Sequence, residues 1–369
     1  AQAAYWSGDY RSARRDFARV LALRPDSPVA RKSLDEIASA SRARWEVSAA
    51  GLSDDQPYRT AGLAARVSVF SDPLTRWDFS AGGQVLRAPD AADDRTDVPW
   101  GRVGVETVFP SLRLTAAGWL EARRAPDATT LGLWSVSLRR ALGSAGALSF
   151  VADRREIFAT RASLADHPNV TRAGLAWSWE SRAHASAGAE AFLLRYFDGN
   201  RGVAASAWAL FPVFTAGAFR LNAGPAVSYR DTDETRFVVA GTASTPDAGF
   251  FRYAYTGAYV PYWTPLALAE GRVAAVLEGP IASGLTARFS GDAGWAHDDA
   301  VGFGPDSGLS PAPGATTSFT YRRTFHPWRA SVTLGLDLGG GSRLEAGYRH
   351  ETTVYYRSDA LHASVVGRF

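Results

Sequence analysis

From Trp45 to the C-terminus the chain alternates apolar and polar residues with a period of two, in one segment after another. Successive side chains of an extended strand point to opposite faces, so each such segment reads as a strand with one apolar and one polar face. In residues 60–70, Ala61, Leu63, Ala65, Val67 and Val69 oppose Thr60, Gly62, Arg66 and Ser68. In 172–180, Ala173, Leu175, Trp177 and Trp179 oppose Arg172, Gly174, Ser178 and Glu180. In 285–295, Leu285, Ala287, Phe289, Ala293 and Trp295 oppose Thr286, Arg288, Ser290 and Asp292. The final segments are the clearest: Val332, Leu334, Leu336 and Leu338 against Ser331, Thr333, Gly335 and Asp337, then Leu344, Ala346, Tyr348 and Val354 against Arg343, Glu345, Arg349 and Glu351. The chain ends with Leu361, Ala363, Val365 and Phe369 against His362, Ser364 and Arg368.

A soluble antiparallel sheet also alternates, but its connections need not alternate in length between its two ends. Here short turns fall near Asp72–Leu74, Phe109–Ser111, Leu142–Gly146, Ser181–Ala183, Pro212–Thr215, Thr245–Gly249, Gly279–Ser283 and Gly339–Ser342. Longer polar links occupy the other end: Ser53–Arg59, Arg87–Val98, Arg154–Asn169, Asp231–Glu234 and Asp298–Thr324. Short periplasmic turns and long external loops are the pattern of an outer-membrane, up-and-down, all-β transmembrane barrel. Counting strands between these landmarks gives 18, with 16 as the alternative because 184–197 and 236–244 alternate poorly. An even count places both termini on the short-turn, periplasmic side.

Composition agrees. Hydrophobic residues make up 46 % of the 369, yet no apolar run reaches the roughly 18 residues a spanning helix needs. Thirty-five Gly, 12 Trp, 13 Tyr and 19 Phe suit many short strands, tight turns and aromatic belts. Without Cys there is no disulfide framework, thiolate metal site or Cys nucleophile. Without Met the N-terminus is expected to arise by processing or truncation of a longer chain. A net charge of +3 makes no nucleic-acid patch.

Residues 1–43 have a different period. Ala13, Phe17, Val20 and Leu21 follow helical spacing between Gly8 and Pro25, and a second helix is expected from Pro28 to Ser41, with proline in its favoured first turn. Gly8, Tyr10, Ala13, Phe17, Leu21 and Pro25 resemble the second half of a tetratricopeptide repeat. Such units stabilise one another by stacking, so more repeats upstream are expected. The alternative is an amphipathic helix pair plugging or capping the barrel. The domains are therefore 1–43, helical, and 44–369, barrel.

Lipid offers no hydrogen bonds to an open sheet edge, so a strand-built spanning protein must close on itself with an apolar outer band. Trp45, Trp77, Trp177, Trp179, Trp295, Tyr253, Tyr255, Tyr259 and Tyr348 are candidate belt residues. The opposite, pore-lining face is expected to carry Arg66, Arg102, Arg113, Arg139, Arg172, Arg220, Arg272, Arg288, Arg343, Arg349 and Arg368. It also carries Asp78, Glu106, Glu121, Glu180, Glu278, Asp292, Asp337, Glu345 and Glu351. Their near balance points to inter-strand ion pairs and a hydrated channel, not to a field selecting one charge. The loop 298–324, with Pro305, Pro311 and Pro313, either folds inward as a constriction or stays exposed.

Nothing signals catalysis. His167, His184, His297, His326, His350 and His362 have no metal-ligand spacing, and HExxH, GxSxG and Walker motifs are absent. The segment GLDLGGGSRLEAGY reads as a hairpin turn, since no helix follows it to cradle phosphate. No enzyme, metal or cofactor is expected.

A tetratricopeptide leader running into a C-terminal barrel resembles the exopolysaccharide secretion porins, in particular the cellulose synthase operon protein C type and the YaiO-type barrel domain. The segment YAYTGAYVPYWTP, with Tyr259, Pro261, Tyr262 and Pro265, is similar to the tyrosine- and proline-rich segment late in those barrels. The terminal Phe369 resembles the signal read by the barrel-assembly machinery. The resemblance implies passive export of a polysaccharide made by an inner-membrane synthase. The expected partners are the outer-membrane bilayer and its lipopolysaccharide, the polymer, and periplasmic and inner-membrane synthase components, with no nucleic acid. A surface-lipoprotein translocator and a general diffusion porin remain as alternatives.

Overall fold

The structure, a computed structural model, describes residues 1–54, 59–87, 95–124, 129–143, 145–157, 168–234, 265–304, 317–353 and 357–369. Three helices come first: α1 (Gln2–Trp6), α2 (Tyr10–Leu23) and α3 (Pro28–Ala40). The strands that follow are β1 (Arg44–Asp54), β2 (Arg59–Asp72), β3 (Thr75–Arg87), β4 (Arg95–Phe109), β5 (Leu114–Arg124) and β6 (Thr130–Leu142). Next are β7 (Gly146–Glu156), β8 (Asn169–Glu180), β9 (Ser186–Tyr196), β10 (Arg201–Ala216), β11 (Phe219–Thr232) and β12 (Leu266–Ala282). Last are β13 (Leu285–Gly304), β14 (Thr317–Phe325), β15 (Trp328–Gly339), β16 (Ser342–Thr352) and β17 (Arg357–Arg368).

Consecutive strands pair antiparallel, β14 and β15 excepted, and β1 pairs with β17 from Arg44 opposite Arg368 to Asp54 opposite Ser358. The sheet therefore closes on itself as a barrel, which satisfies the backbone groups of its wall internally. The segments β14 and β15 form one wall strand. β13 pairs with the first through Ala296 opposite Phe325 and with the second through Ala293 opposite Trp328, in unbroken register. Pro327, which has no N–H to donate, interrupts the strand, while its carbonyl still accepts from the Gly294 N–H at 3.1 Å.

Seventeen segments thus make sixteen wall strands, and the 18 expected from the sequence are corrected to the alternative, 16. β11 pairs directly with β12, from Arg220 opposite Glu278 to Arg230 opposite Leu268. A strand edge bonds one neighbour only, so no spanning strand intervenes there. The two strands expected between them, their Thr245–Gly249 turn, and Tyr253, Tyr255, Tyr259, Pro261 and Tyr262 lie outside the described residues. So do Pro305, Pro311, Pro313, His167 and Val354.

Several boundaries also move. The turn expected at Pro212–Thr215 falls at 217–218, because β10 carries a bulge between Pro212 and Phe214 and continues to Ala216. The turn expected at Gly279–Ser283 falls at 283–284. Asp298–Gly304 and Thr317–Thr324, expected as loop, are strand paired with each other; Arg95–Val98 is strand as well.

The two faces have different chemistry. Outward by register are Leu63, Val67, Trp77, Leu120, Leu175, Trp177, Leu193, Val273, Trp295 and Leu361, with Leu193 69 % and Trp295 66 % exposed to solvent. Moving such a side chain from water to hydrocarbon gains about 1.5–3 kcal/mol, so this surface is stable only against lipid. Trp45, Trp179 and Tyr348 share the outward face. Strands as short as β5 and β7, 11 residues each, suffice to cross at a tilt, since about 9–11 residues are needed.

The helices pack Ala13, Phe17, Ala30 and Ile37 into a small core of their own. They sit at the short-turn end, where Arg11 reaches Asp72 at 2.9 Å. Asp9 caps α2 by accepting from the Ser12 N–H at 3.1 Å, next to Gly8 at φ +79°. Those Ser12 hydrogen bonds hold the Asp9 carboxyl below its usual value, so its stabilisation is present above the ordinary Asp range and is lost as pH falls through the lowered value. Asp9→Ala is expected to weaken α2 by about 1 kcal/mol and to abolish the acid sensitivity of its first turn, measured by hydrogen exchange of the Ser12 amide.

Candidate functional site

Cross-strand register places the charged positions inferred from the sequence on the inward face, apart from Arg113. That residue follows the turn Pro110–Leu112 in a left-handed conformation, φ 50°, because β5 begins only at Leu114, later than a turn at Phe109–Ser111 implied. Arg66 lies opposite Glu46 and binds it at 2.5 Å; Arg102 lies opposite Glu121, Arg220 opposite Glu278, Glu278 opposite Arg288, and Asp337 opposite Arg343. Asp78 and Glu106 flank Arg76 at 3.1 and 3.6 Å, and Glu345 lies 3.7 Å from His362. Arg139, Glu180, Arg349, Glu351 and Arg368 occupy the same face, without ion-pair partners given by the geometry among the described residues. Several partners escaped the sequence reading: Glu46, Arg76, Arg123, Asp153, Glu156, Glu270, Asp298, Arg323 and Arg329. For Arg76, Arg123, Glu270, Asp298 and Arg329 the signal was parity alone, since each lies an even number of residues from a recognised inward position of its own strand.

The charges neutralise one another locally. Glu121, whose side chain is fully buried, accepts from Arg102 at 2.8 and 2.5 Å and from Arg123 at 3.0 Å, and Arg123 continues to Glu156 at 2.9 Å. Arg172 binds Asp153 at 2.8 Å. On the far arc Glu270, Arg272, Asp292 and Arg329 form a chain at 2.9, 2.7 and 2.7 Å, while Glu278 bridges Arg220 and Arg288. Asp298 and Arg323 are buried together at 2.5 Å. Opposite charges this close leave little net field in the lumen; they fix strand register and stiffen the wall.

Between the charges lie aromatic rings that the sequence reading did not assign inward. Trp100, Trp119, Phe192 and Trp208 each stand directly opposite a glycine: Gly82, Gly104, Gly174 and Gly188. A Cβ added to Gly82 would come within 2.7 Å of Trp100, and one on Gly188 within 2.8 Å of Trp208. The missing side chain lets the Trp100 and Trp208 rings lie against the wall; Trp208 stays 39 % exposed, whereas Phe192 is buried. The Arg102 guanidinium sits 4.2 Å from the Trp119 ring centre and 5.5 Å from that of Trp100, and Arg172 sits 4.3 Å from that of Phe192.

Three recesses adjoin along this surface. One of about 550 Å³ is bordered by Ser48, Thr60, Gln84, Trp100, Ser331, Thr333, Arg349 and His362. A second, about 580 Å³, includes His184, Thr215, Glu278, Arg288 and Thr333 at the short-turn end. A third, about 310 Å³, shares Ser331 and Arg349 with the first and Arg288 with the second. Toward the loop end the inward side chains Leu86, Val98, Val170, Leu194, Tyr196 and Asp298 are buried. Among the described residues no group of three His, Asp or Glu is placed to hold a metal ion.

No protein-family model matches the sequence, and comparison with curated proteins finds no match. Among solved structures, the chain is similar to a bacterial polysaccharide outer membrane secretin, at 12 % identity and a TM-score of 0.62, over 89 % of this chain and 99 % of the other. It also matches CdiB from Acinetobacter baumannii, at 8 % identity and a TM-score of 0.47, over 88 % of this chain and 60 % of that one. OccK5 (OpdH) from Pseudomonas aeruginosa matches at 10 % identity and a TM-score of 0.41, over 89 % and 98 %. At such identities the likeness is one of fold, and it rests on the first of the three: the fold is that of an outer-membrane β-barrel.

Proposed function

We propose that the chain is an outer-membrane conduit, not an enzyme, through which an exopolysaccharide made by an inner-membrane synthase leaves the cell. The observation that carries this reading is the lumen wall itself. Most of the charges are paired with a neighbour, and the surface between them presents hydroxyls, an amide and an indole, Ser48, Thr60, Gln84, Ser331, Thr333 and Trp100, beside Arg349 and His362. Sugar hydroxyls exchange hydrogen bonds with such groups and sugar rings stack on aromatic faces, whereas a strong field of either sign would hold a charged polymer. The polysaccharide outer membrane secretin that shares the fold supports the same reading.

In this proposal both termini are periplasmic, since the helices and the paired ends of β1 and β17 lie at the short-turn end. Residues 1–43 are the last tetratricopeptide repeat of an array that gathers synthase components, and 44–369 span the bilayer. Trp6, 81 % exposed, offers an apolar surface for a preceding repeat. Deleting the gene is expected to stop polymer from reaching the medium while surface lipoproteins are displayed normally. Unchanged polymer with lost lipoprotein display would instead favour the translocator.

A further inference from the structure

Outside the lumen, the outward face at the loop end carries an arrangement that cross-strand pairing alone would disfavour. Arg59 of β2 stands directly opposite Arg87 of β3, and Arg87 directly opposite Arg95 of β4. Like charges face to face on adjacent strands repel. Only Arg95 has an ion pair among the described residues, with Asp97 at 3.2 Å. On the other side of Ser53, Asp359 does not neutralise the row: it accepts from Tyr348 at 2.5 Å and is bound to His350 at 2.8 Å.

One step toward the barrel middle, the outward residues in register are Leu361, Gly51, Ala61 and Val85. The small pair Gly51 and Ala61 between larger neighbours makes a trough, and the recess there, about 500 Å³, is bordered by these residues, by all three arginines and, at one side, by Tyr348 and the Asp359 carboxylate it binds. It is apolar below and cationic above. The row is at the strand ends, level with the headgroups of the leaflet on the loop side, while the trough faces acyl chains.

We infer that this groove binds a phosphorylated, acylated lipid of the outer leaflet, with the arginines on its phosphates and an acyl chain in the trough. Guanidinium groups side by side offer paired donors to phosphate oxygens, and a bound phosphate turns their repulsion into a shared attraction. The inference rests on the outer-membrane placement proposed above but not on what the lumen carries. Its test uses purified barrel in detergent without polymer, so failure of export leaves it standing.

Binding of lipid A is to be measured by native mass spectrometry for the wild-type chain, for Arg59→Ala/Arg87→Ala/Arg95→Ala, and for Arg195→Ala, an outward arginine away from the trough. The expected result is one lipid bound by the wild type and by Arg195→Ala, weakened about tenfold or more in the triple variant, the loss of roughly 1.4 kcal/mol or more of binding. Dephosphorylated lipid A and inorganic phosphate alone are expected to bind poorly, because each offers half the ligand. Equal binding by wild type and triple variant, or by lipid with and without phosphate, would overturn the inference. Should the triple variant not fold, Arg87→Gln at the middle of the row, titrated with both lipid forms, decides between the same outcomes.

Discussion

Glu121→Ala is expected to be among the most destabilising single substitutions in the barrel wall, by roughly 3–5 kcal/mol. The Glu121 carboxylate is fully buried and holds both Arg102 and Arg123; without it two guanidinium groups face each other across an empty site. Arg102 is partly exposed and recovers some hydration, whereas Arg123 does not and keeps only Glu156. Denaturant unfolding in lipid vesicles measures the loss. The double variant Arg102→Met/Glu121→Leu is expected to regain most of it, since removing both partners strands less charge than removing one. A wild-type-like Glu121→Ala would mean that the network does not hold the wall.

The second large effect concerns passage. Trp100→Ala/Trp208→Ala removes two lumenal rings without touching an ion pair, so the wall is expected to fold and conduct as before. Neutral glucan fragments added to the wild-type barrel are expected to block single-channel current transiently. In the double variant their residence is expected to shorten about tenfold, because each ring contributes roughly 0.5–1.5 kcal/mol beyond its area. Gly82→Val tests the same surface differently: its side chain would meet the Leu63 carbonyl at 2.5 Å and lift Trp100 into the lumen, narrowing the channel. Blockades of equal length in all three proteins would remove the indoles from the proposal.

Strands were legible in the sequence where lipid and water press on opposite faces at once, as in β2, β8 and the lower part of β13. Legibility failed where one of those conditions lapses. β9 alternates poorly because its inward residues Phe192, Leu194 and Tyr196 are apolar and buried together toward the loop end, so both faces look alike. At Phe211–Phe214 the bulge shifts parity within an apolar run, which hides the turn. The excess of two strands arose from reading 236–264 by its apolar composition, whereas β11 pairs directly with β12. Inward charges could be read by parity, but the lumenal tryptophans could not. Their defining partners are glycines on the neighbouring strand, 15 to 20 residues away in sequence, a relation that exists only once register is set.

The account stands on a closed wall of sixteen strands surrounding an open, charge-balanced lumen. The measurement that tests it most directly is single-channel recording of the purified barrel in a planar bilayer, intact and with residues 305–316 removed between the paired β13 and β14. The predicted result is discrete ion-conducting steps with weak preference between cations and anions in both proteins. Absence of conductance from both proteins, with each inserted and folded, would contradict it.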